Sequence, residues 1–307
     1  MPELILALSI AAIIIGILLL YFIPSIYVML KIMHPKKRDF DTLLAYEVAE
    51  KNYDPKWLDI LFEEKRITST FGYELYARLY KNPTPTNKFM IALHGHNSSG
   101  MGMLKYLDIF LDAGYNVFIP DHRYSGNSGG GSITFGHYEK HDTVSWIDLL
   151  QKEYPNAIFA IFGESMGAAT GMLVTATDKR INFLIEYCGY ANFKELSTSH
   201  IKPPLLYNIF ELGFKIVARI LFKVKFKETD AAKAMAQISV PVLIMHSEAD
   251  LTTGINNAHM LAKVNPSAKV LYFKDTHHAR SLMKYPELFT QTVKDFIIES
   301  EKKMNIA

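Results

Sequence analysis

Six short apolar runs, residues 89–93, 116–120, 157–162, 183–187, 240–245 and 270–273, alternate with segments whose apolar residues recur at helical spacing. Runs of this length and composition are what strands buried on both faces look like. Strands that alternate with helices pair in parallel through crossover connections. The pattern predicts an α/β fold: a doubly wound, mostly parallel sheet covered by helices on both faces. Between the first two runs, Met103, Leu104, Leu107, Phe110 and Leu111 predict a helix, with Gly114 closing it. Ahead of them, residues 65–70 and 74–80, joined by Phe71-Gly72, predict an antiparallel hairpin at the sheet edge. Residues 191–238 break the alternation and are too long for an ordinary connection. They predict an inserted helical cap, in which Pro203-Pro204 separates a first part from a long amphipathic helix.

The N-terminus is of a different kind. Residues 4–30 hold no charged side chain and are dominated by Leu, Ile and Ala. A helix over that stretch is about 40 Å long at roughly 1.5 Å per residue, enough to cross a hydrocarbon core of about 30 Å with tilt. A cleaved signal peptide would carry a basic leading region, a shorter apolar core and a small-residue cleavage site. Residues 1–30 show none of these, so an uncleaved transmembrane helix is expected. Lys31, Lys36, Lys37 and Arg38 follow the stretch and only Glu3 precedes it, which by the positive-inside rule puts the rest of the chain in the cytoplasm. The expected division is a transmembrane anchor over 1–30, a juxtamembrane connector with one or two short helices over 31–60, and a folded domain over 61–307. A formal charge of +2 argues against a general nucleic-acid binder. The single cysteine, Cys188, has no intramolecular partner and reads as a small core residue.

The chemistry is concentrated at strand ends. Gly163-Glu164-Ser165-Met166-Gly167 follows the strand at 157–162 and precedes the small-residue stretch Ala168-Ala169-Thr170-Gly171. A serine on a sharp strand-to-helix turn is the setting of a nucleophile elbow. A serine hydroxyl needs an imidazole to take its proton, and the imidazole needs a carboxylate to fix its tautomer. Asp250 lies in His246-Ser247-Glu248-Ala249-Asp250, after the strand at 240–245. His278 lies in Thr276-His277-His278-Ala279, after the strand at 270–273. Ser165, Asp250 and His278 are therefore the expected catalytic residues, with Glu248 and His277 as the near competitors. Backbone N–H groups of His96, in the turn His94-Gly95-His96, and of Met166 are the expected oxyanion donors. His94 and His96 could instead suggest a metal site, but no Cys, Asp or Glu stands nearby at ligand spacing, so no metal or other cofactor is expected.

With these motifs in hand, the chain from about Arg66 onward resembles the α/β-hydrolase superfamily, and within it bacterial membrane-bound or cell-surface serine hydrolases. The loop Asp121-His122-Arg123-Tyr124-Ser125-Gly126-Asn127-Ser128 is similar to that family's Asp-x-Arg-x-x-Gly-x-Ser segment. The likeness continues through Gly136-His137-Tyr138-Glu139-Lys140-His141-Asp142. The resemblance implies that Asp121 and Arg123 are scaffold, not catalysts. Tyr124 and Ser247 stand where relatives carry glycine. It also implies that the cap covers the active site and shapes its pocket.

The expected function is a membrane-anchored serine hydrolase that cleaves an ester or thioester through an acyl-enzyme. The substrate would be a small-molecule or lipid-like acyl compound, with membrane lipid met through the N-terminal helix. A prolyl-peptidase-like serine peptidase and a catalytically idle, membrane-tethered binding protein are the alternatives. In the cap, Glu211, Lys215, Arg219, Lys223 and Lys227 recur every four residues as a polar stripe along one helix. The stripe is expected to face solvent, or else to rest on anionic lipid.

Overall fold

The computed structural model describes residues 1–50 and 54–306. Eight strands form one sheet: β1 (Glu63–Thr68), β2 (Glu74–Tyr80), β3 (Lys88–Leu93), β4 (Asn116–Pro120), β5 (Ile158–Glu164), β6 (Ile181–Tyr187), β7 (Val242–Ser247) and β8 (Lys269–Phe273). Their order is β1-β2-β4-β3-β5-β6-β7-β8. β2 runs antiparallel to β1 and to β4, and every other pairing is parallel. The six apolar runs and the edge hairpin thus all become strands. The chain leaves β3 toward β4 on one side and returns as β5 on the other, so the sheet's order reverses between β3 and β5. Ligands of open α/β sheets bind outside the carboxyl ends of the strands at such a switch point.

The side-chain period of two sends β3 into two cores. Phe89, Ile91 and Leu93 pack on one face with Phe118, Trp146 and Phe159, while Met90 and Ala92 pack on the other with Phe110, Phe162 and Phe183. The first face carries the helix after the elbow, Met166–Thr177, and the cap. The second carries Leu43 and the C-terminal helix Pro286–Lys303.

Three expectations change. Residues Gly100–Tyr106 form a 3₁₀ helix, and α-helix begins only at Leu107, running to Asp112. Gly100 and Gly102 disfavour an α-helical first turn, and the Gly100 N–H donates to the Asp121 carboxylate (2.7 Å) instead of to a ladder. The N-terminal helix runs from Pro2 to Met33, and only its first part stands free. From Tyr21 onward its inner side docks on the folded domain, burying Ser25, Met29 and Met33. The cap helix ends at Leu221, so the polar stripe does not continue: Lys223 sits at a left-handed φ of 58° and Lys227 lies in a separate 3₁₀ turn. The side of the helix facing away from the domain is mainly apolar, with Leu205, Ile209, Leu212 and Ile220 all exposed.

Candidate active site

β5 ends at Glu164, and Ser165 turns the chain into the helix Met166–Thr177 with φ 57° and ψ −116°, a conformation few non-glycine residues hold. The turn persists because its flanking glycines have no room for side chains. A Cβ on Gly163 would stand 2.5 Å from the Ala168 nitrogen, and one on Gly167 would collide with the Leu93 carbonyl at the end of β3. The Ser165 N–H donates to the Tyr187 carbonyl at the end of β6 (2.8 Å), which fixes the tip of the turn.

Three side chains from three strand ends meet there. The Ser165 hydroxyl donates to His278 Nε2 at 3.0 Å, and His278 Nδ1–H donates to Asp250 Oδ2 at 2.7 Å. Asp250 is held from behind. Its Oδ1 accepts the Thr252 and Thr253 N–H groups (2.7 and 3.0 Å), and its Oδ2 accepts the Thr253 hydroxyl (2.8 Å). Burial alone would raise the Asp250 carboxyl, but hydrogen bonds with His246 and His278 hold it well below the usual carboxylate range. Asp250 is therefore an anion at neutral pH. The competitors lie elsewhere: Glu248 is exposed, and His277 is exposed with its ring 3.3 Å from the Ala249 carbonyl.

The turn after β3 abuts the serine, for a Cβ on Gly95 would stand 3.3 Å from Ser165 Cβ. His96 follows on the cavity wall, and Met166 opens the elbow helix, where its N–H has no acceptor within the helix. His94 uses both ring nitrogens on backbone, donating from Nδ1 to the Gly95 carbonyl and accepting the His122 N–H at Nε2 (2.8 and 2.9 Å). His96 Nε2 lies 2.7 Å from the Ile32 carbonyl, which can only accept, so Nε2 carries the proton. Burial pushes His96 below the usual imidazole range and keeps it neutral. Among the described residues, the one cluster of potential metal ligands is Cys188, Asp250 and His278, two of which already form the relay to Ser165.

The loop after β4 is scaffold. Asp121 accepts the Gly100 and Asn127 N–H groups, both at 2.7 Å, and the Arg123 guanidinium lies between the Tyr73 and Tyr138 rings. Tyr124 adopts a left-handed φ of 57°, and Ser247 is buried with its hydroxyl 3.0 Å from that of Ser281.

Sequence reasoning missed how much of the site comes from outside the strand ends. A cavity of about 260 Å³ opens beside Ser165 and His278, and its walls include Arg38, Leu43, Tyr46 and Glu47 of the connector. Asp39 caps the connector helix Phe40–Ala49 by accepting the Thr42 N–H. Arg280, two residues past His278, ties that helix down by donating to Tyr46 Oη and pairing with Glu50, each at 2.8 Å. An Asp at an N-cap position was readable in the sequence, but the fold that swings the helix over the site was not. Glu164 is a second omission. It lies beneath the cavity, accepting from Tyr106 Oη at 2.5 Å and pairing with Lys105 at 2.9 Å. Burial would raise Glu164, but the Lys105 charge and the Tyr106 hydroxyl outweigh it and hold the carboxyl below its usual range.

Residues 84–206 match the family described as Hydrolase_4: Serine aminopeptidase, S33. The chain is 30% identical to uncharacterized protein YqkD of Bacillus subtilis over 239 residues, which span 75% of this chain and 77% of that one. It is 23% identical to mouse monoglyceride lipase over 242 residues, covering 66% of this chain and 78% of the lipase. Its fold is similar to that of the Pyrococcus furiosus esterase Pf2001, with a TM-score of 0.66 at 22% identity, covering 80% of this chain and 95% of the esterase.

Proposed function

Because the chain belongs to the α/β-hydrolase superfamily, we propose that it is a membrane-anchored serine hydrolase that cleaves a carboxylic ester or thioester through an acyl-enzyme. The observation that carries this reading is the continuous hydrogen-bonded relay Ser165–His278–Asp250. Ser165 Oγ attacks the acyl carbon while His278 Nε2 takes its proton, and the Asp250 anion stabilises the imidazolium that forms. The His96 and Met166 N–H groups hold the developing oxyanion. His278 returns the proton to the leaving oxygen or sulfur, a water then adds to the acyl-enzyme by the same route, and Ser165 is released.

The names of two similar proteins, an esterase and a monoglyceride lipase, favour an acyl ester over a peptide. The cavity is small and walled by Arg38, Glu47, Lys105 and Glu164, which suits a compact polar alcohol half. The N-terminal helix is the membrane span. Its free part, from Pro2 to Leu20, is about 28 Å long at roughly 1.5 Å per residue, close to the hydrocarbon thickness. Lys31 and Lys36 remain exposed on its C-terminal flank and favour a cytoplasmic catalytic domain.

A fluorophosphonate probe tests the nucleophile: it should label the wild type and leave Ser165→Ala unlabelled, and equal labelling refutes the assignment. A panel of ester, thioester and peptide substrates tests the bond. Turnover confined to peptides would make the protein a peptidase, and turnover of none would leave a binding protein of hydrolase fold.

A further inference from the structure

We propose that the cap helix Pro204–Leu221 is a second membrane contact, lying with its outer face in the lipid that surrounds the N-terminal helix. The proposal rests on the reading of that helix as a membrane span. Leu205, Ile209, Leu212 and Ile220 recur at helical spacing and are 64, 49, 62 and 69% exposed. They do not belong to the core, because the opposite side of the same helix buries Tyr207, Phe214, Val217 and Ala218. A helix with one side in the domain and an apolar side outward has its second partner still to find.

What identifies that partner as lipid is the neighbour on its third side. Gly213 presses against the N-terminal helix so closely that a Cβ there would meet Ser25 Oγ and stand 3.0 Å from the Tyr21 ring. The Gly213 N–H donates to Tyr21 Oη at 3.0 Å, and the Tyr21 and Phe210 rings stack at 5.4 Å. Small residues at the crossing let the two helix backbones approach, as in helix pairs within membranes. On the N-terminal helix, Leu18, Leu19, Leu20, Ile23 and Ile26 are also exposed next to this crossing. The apolar face of the cap helix is thus continuous with the apolar surface that enters the bilayer. Lys215 and Arg219 border the face; Lys215 pairs with Glu211 at 2.7 Å, and among the described residues no carboxylate lies within ion-pair distance of Arg219. Cations beside an apolar stripe are the pattern of an interfacial helix on anionic lipid.

The test uses the full chain in vesicles of phosphatidylcholine and phosphatidylglycerol. A polarity-sensitive fluorophore is placed on single engineered cysteines, since the native Cys188 is buried. Ile14→Cys reports the span, Leu212→Cys the cap face, and Lys302→Cys an exposed position on the C-terminal helix. Quenching by spin-labelled lipid should be at least about threefold stronger at positions 14 and 212 than at 302. Quenching at 14 with none above the level of 302 at 212 overturns the proposal and leaves the span standing. No quenching at 14 removes the span itself, and with it the basis for the cap contact. Cross-linking between two Leu212→Cys chains without lipid quenching would assign the face to a second copy and also overturn the proposal.

Discussion

Asp250→Asn should cut turnover about 10⁴-fold while leaving the fold intact, and the reason lies in how the amide must orient. Two backbone donors, Thr252 N–H and Thr253 N–H, converge on Oδ1. An amide placed here keeps its oxygen at that position, because its NH₂ would face two donors. The NH₂ then occupies the Oδ2 position, 2.7 Å from His278 Nδ1, and donates where the carboxylate accepted. His278 is forced to carry its proton on Nε2, the nitrogen that must accept from Ser165 at 3.0 Å. The imidazole is locked in the wrong tautomer and the charge that stabilises its cation is gone. A 10⁴-fold loss corresponds to about 5.4 kcal/mol of transition-state stabilisation. The assay is hydrolysis of p-nitrophenyl acetate by the purified full-length protein, with circular dichroism to check folding. Glu248→Gln, at the exposed competitor, should change the rate by less than about twofold. A folded Asp250→Asn protein within tenfold of wild type would refute the reasoning, and a large loss in Glu248→Gln would move the acid to residue 248.

Glu186, near the end of β6, is fully buried, with one oxygen accepting the Gly189 N–H at 2.8 Å, and burial pushes its carboxyl up to about 8 from an ordinary 4.5. The folded state then binds more protons than the unfolded one between those pH values. Stability falls as pH rises through that window, by at most roughly 1.4 kcal/mol per unit. Glu186→Gln removes the titration, so its advantage over wild type in detergent-solubilised thermal unfolding should grow from pH 5 to pH 8; a constant gap contradicts the assignment. Gly167→Ala forces a methyl group into the Leu93 backbone and must displace the elbow. Fluorophosphonate labelling should slow by about 10²-fold with helix content retained, and labelling at the wild-type rate would mean that the turn tolerates the methyl.

The sheet was legible because each inner strand is apolar on both faces, and that signal needs no knowledge of the partner strands. Ser165, Asp250 and His278 were legible as candidates because chain order and strand ends locate them, and His278 does stand within hydrogen-bond reach of both Ser165 and Asp250. The connector was not. Leu43, Tyr46 and Arg280 carry no periodic signal linking residues 40–50 to residue 280, and only the fold brings them together. The cap was half legible: its Lys and Arg spacing is real in sequence, but a four-residue repeat drifts around a helix of 3.6 residues per turn. It cannot define a face once the helix stops at Leu221. The exposed apolar stripe was hidden because an apolar residue in sequence reads as core whatever it touches.

The charge-free N-terminal stretch reads as one apolar element but divides near residue 20 into an exposed first part and a second part packed on the domain. Beyond it the helix is part of the folded domain. Met29 and Met33 sit in the main core, the Met33 carbonyl accepts the Ile133 N–H at 2.8 Å, and the Ile32 carbonyl holds the His96 ring. The second half of the helix is thus packed and hydrogen-bonded into the domain. From Leu20 to Ile32 is about 18 Å along the axis at roughly 1.5 Å per residue, so on the proposed reading the His96 turn stays within that distance of the membrane boundary. The connector leaves the helix end directly into the wall of the cavity beside Ser165, with Lys37 donating to the Ser128 carbonyl at 2.9 Å on the way. On the proposed reading, one continuous segment thus sets the depth of the span, seats the residue proposed to hold the oxyanion and walls the cavity beside Ser165. If that helix is the membrane span proposed above, a shift of it relative to the bilayer must move the cavity beside Ser165 with it.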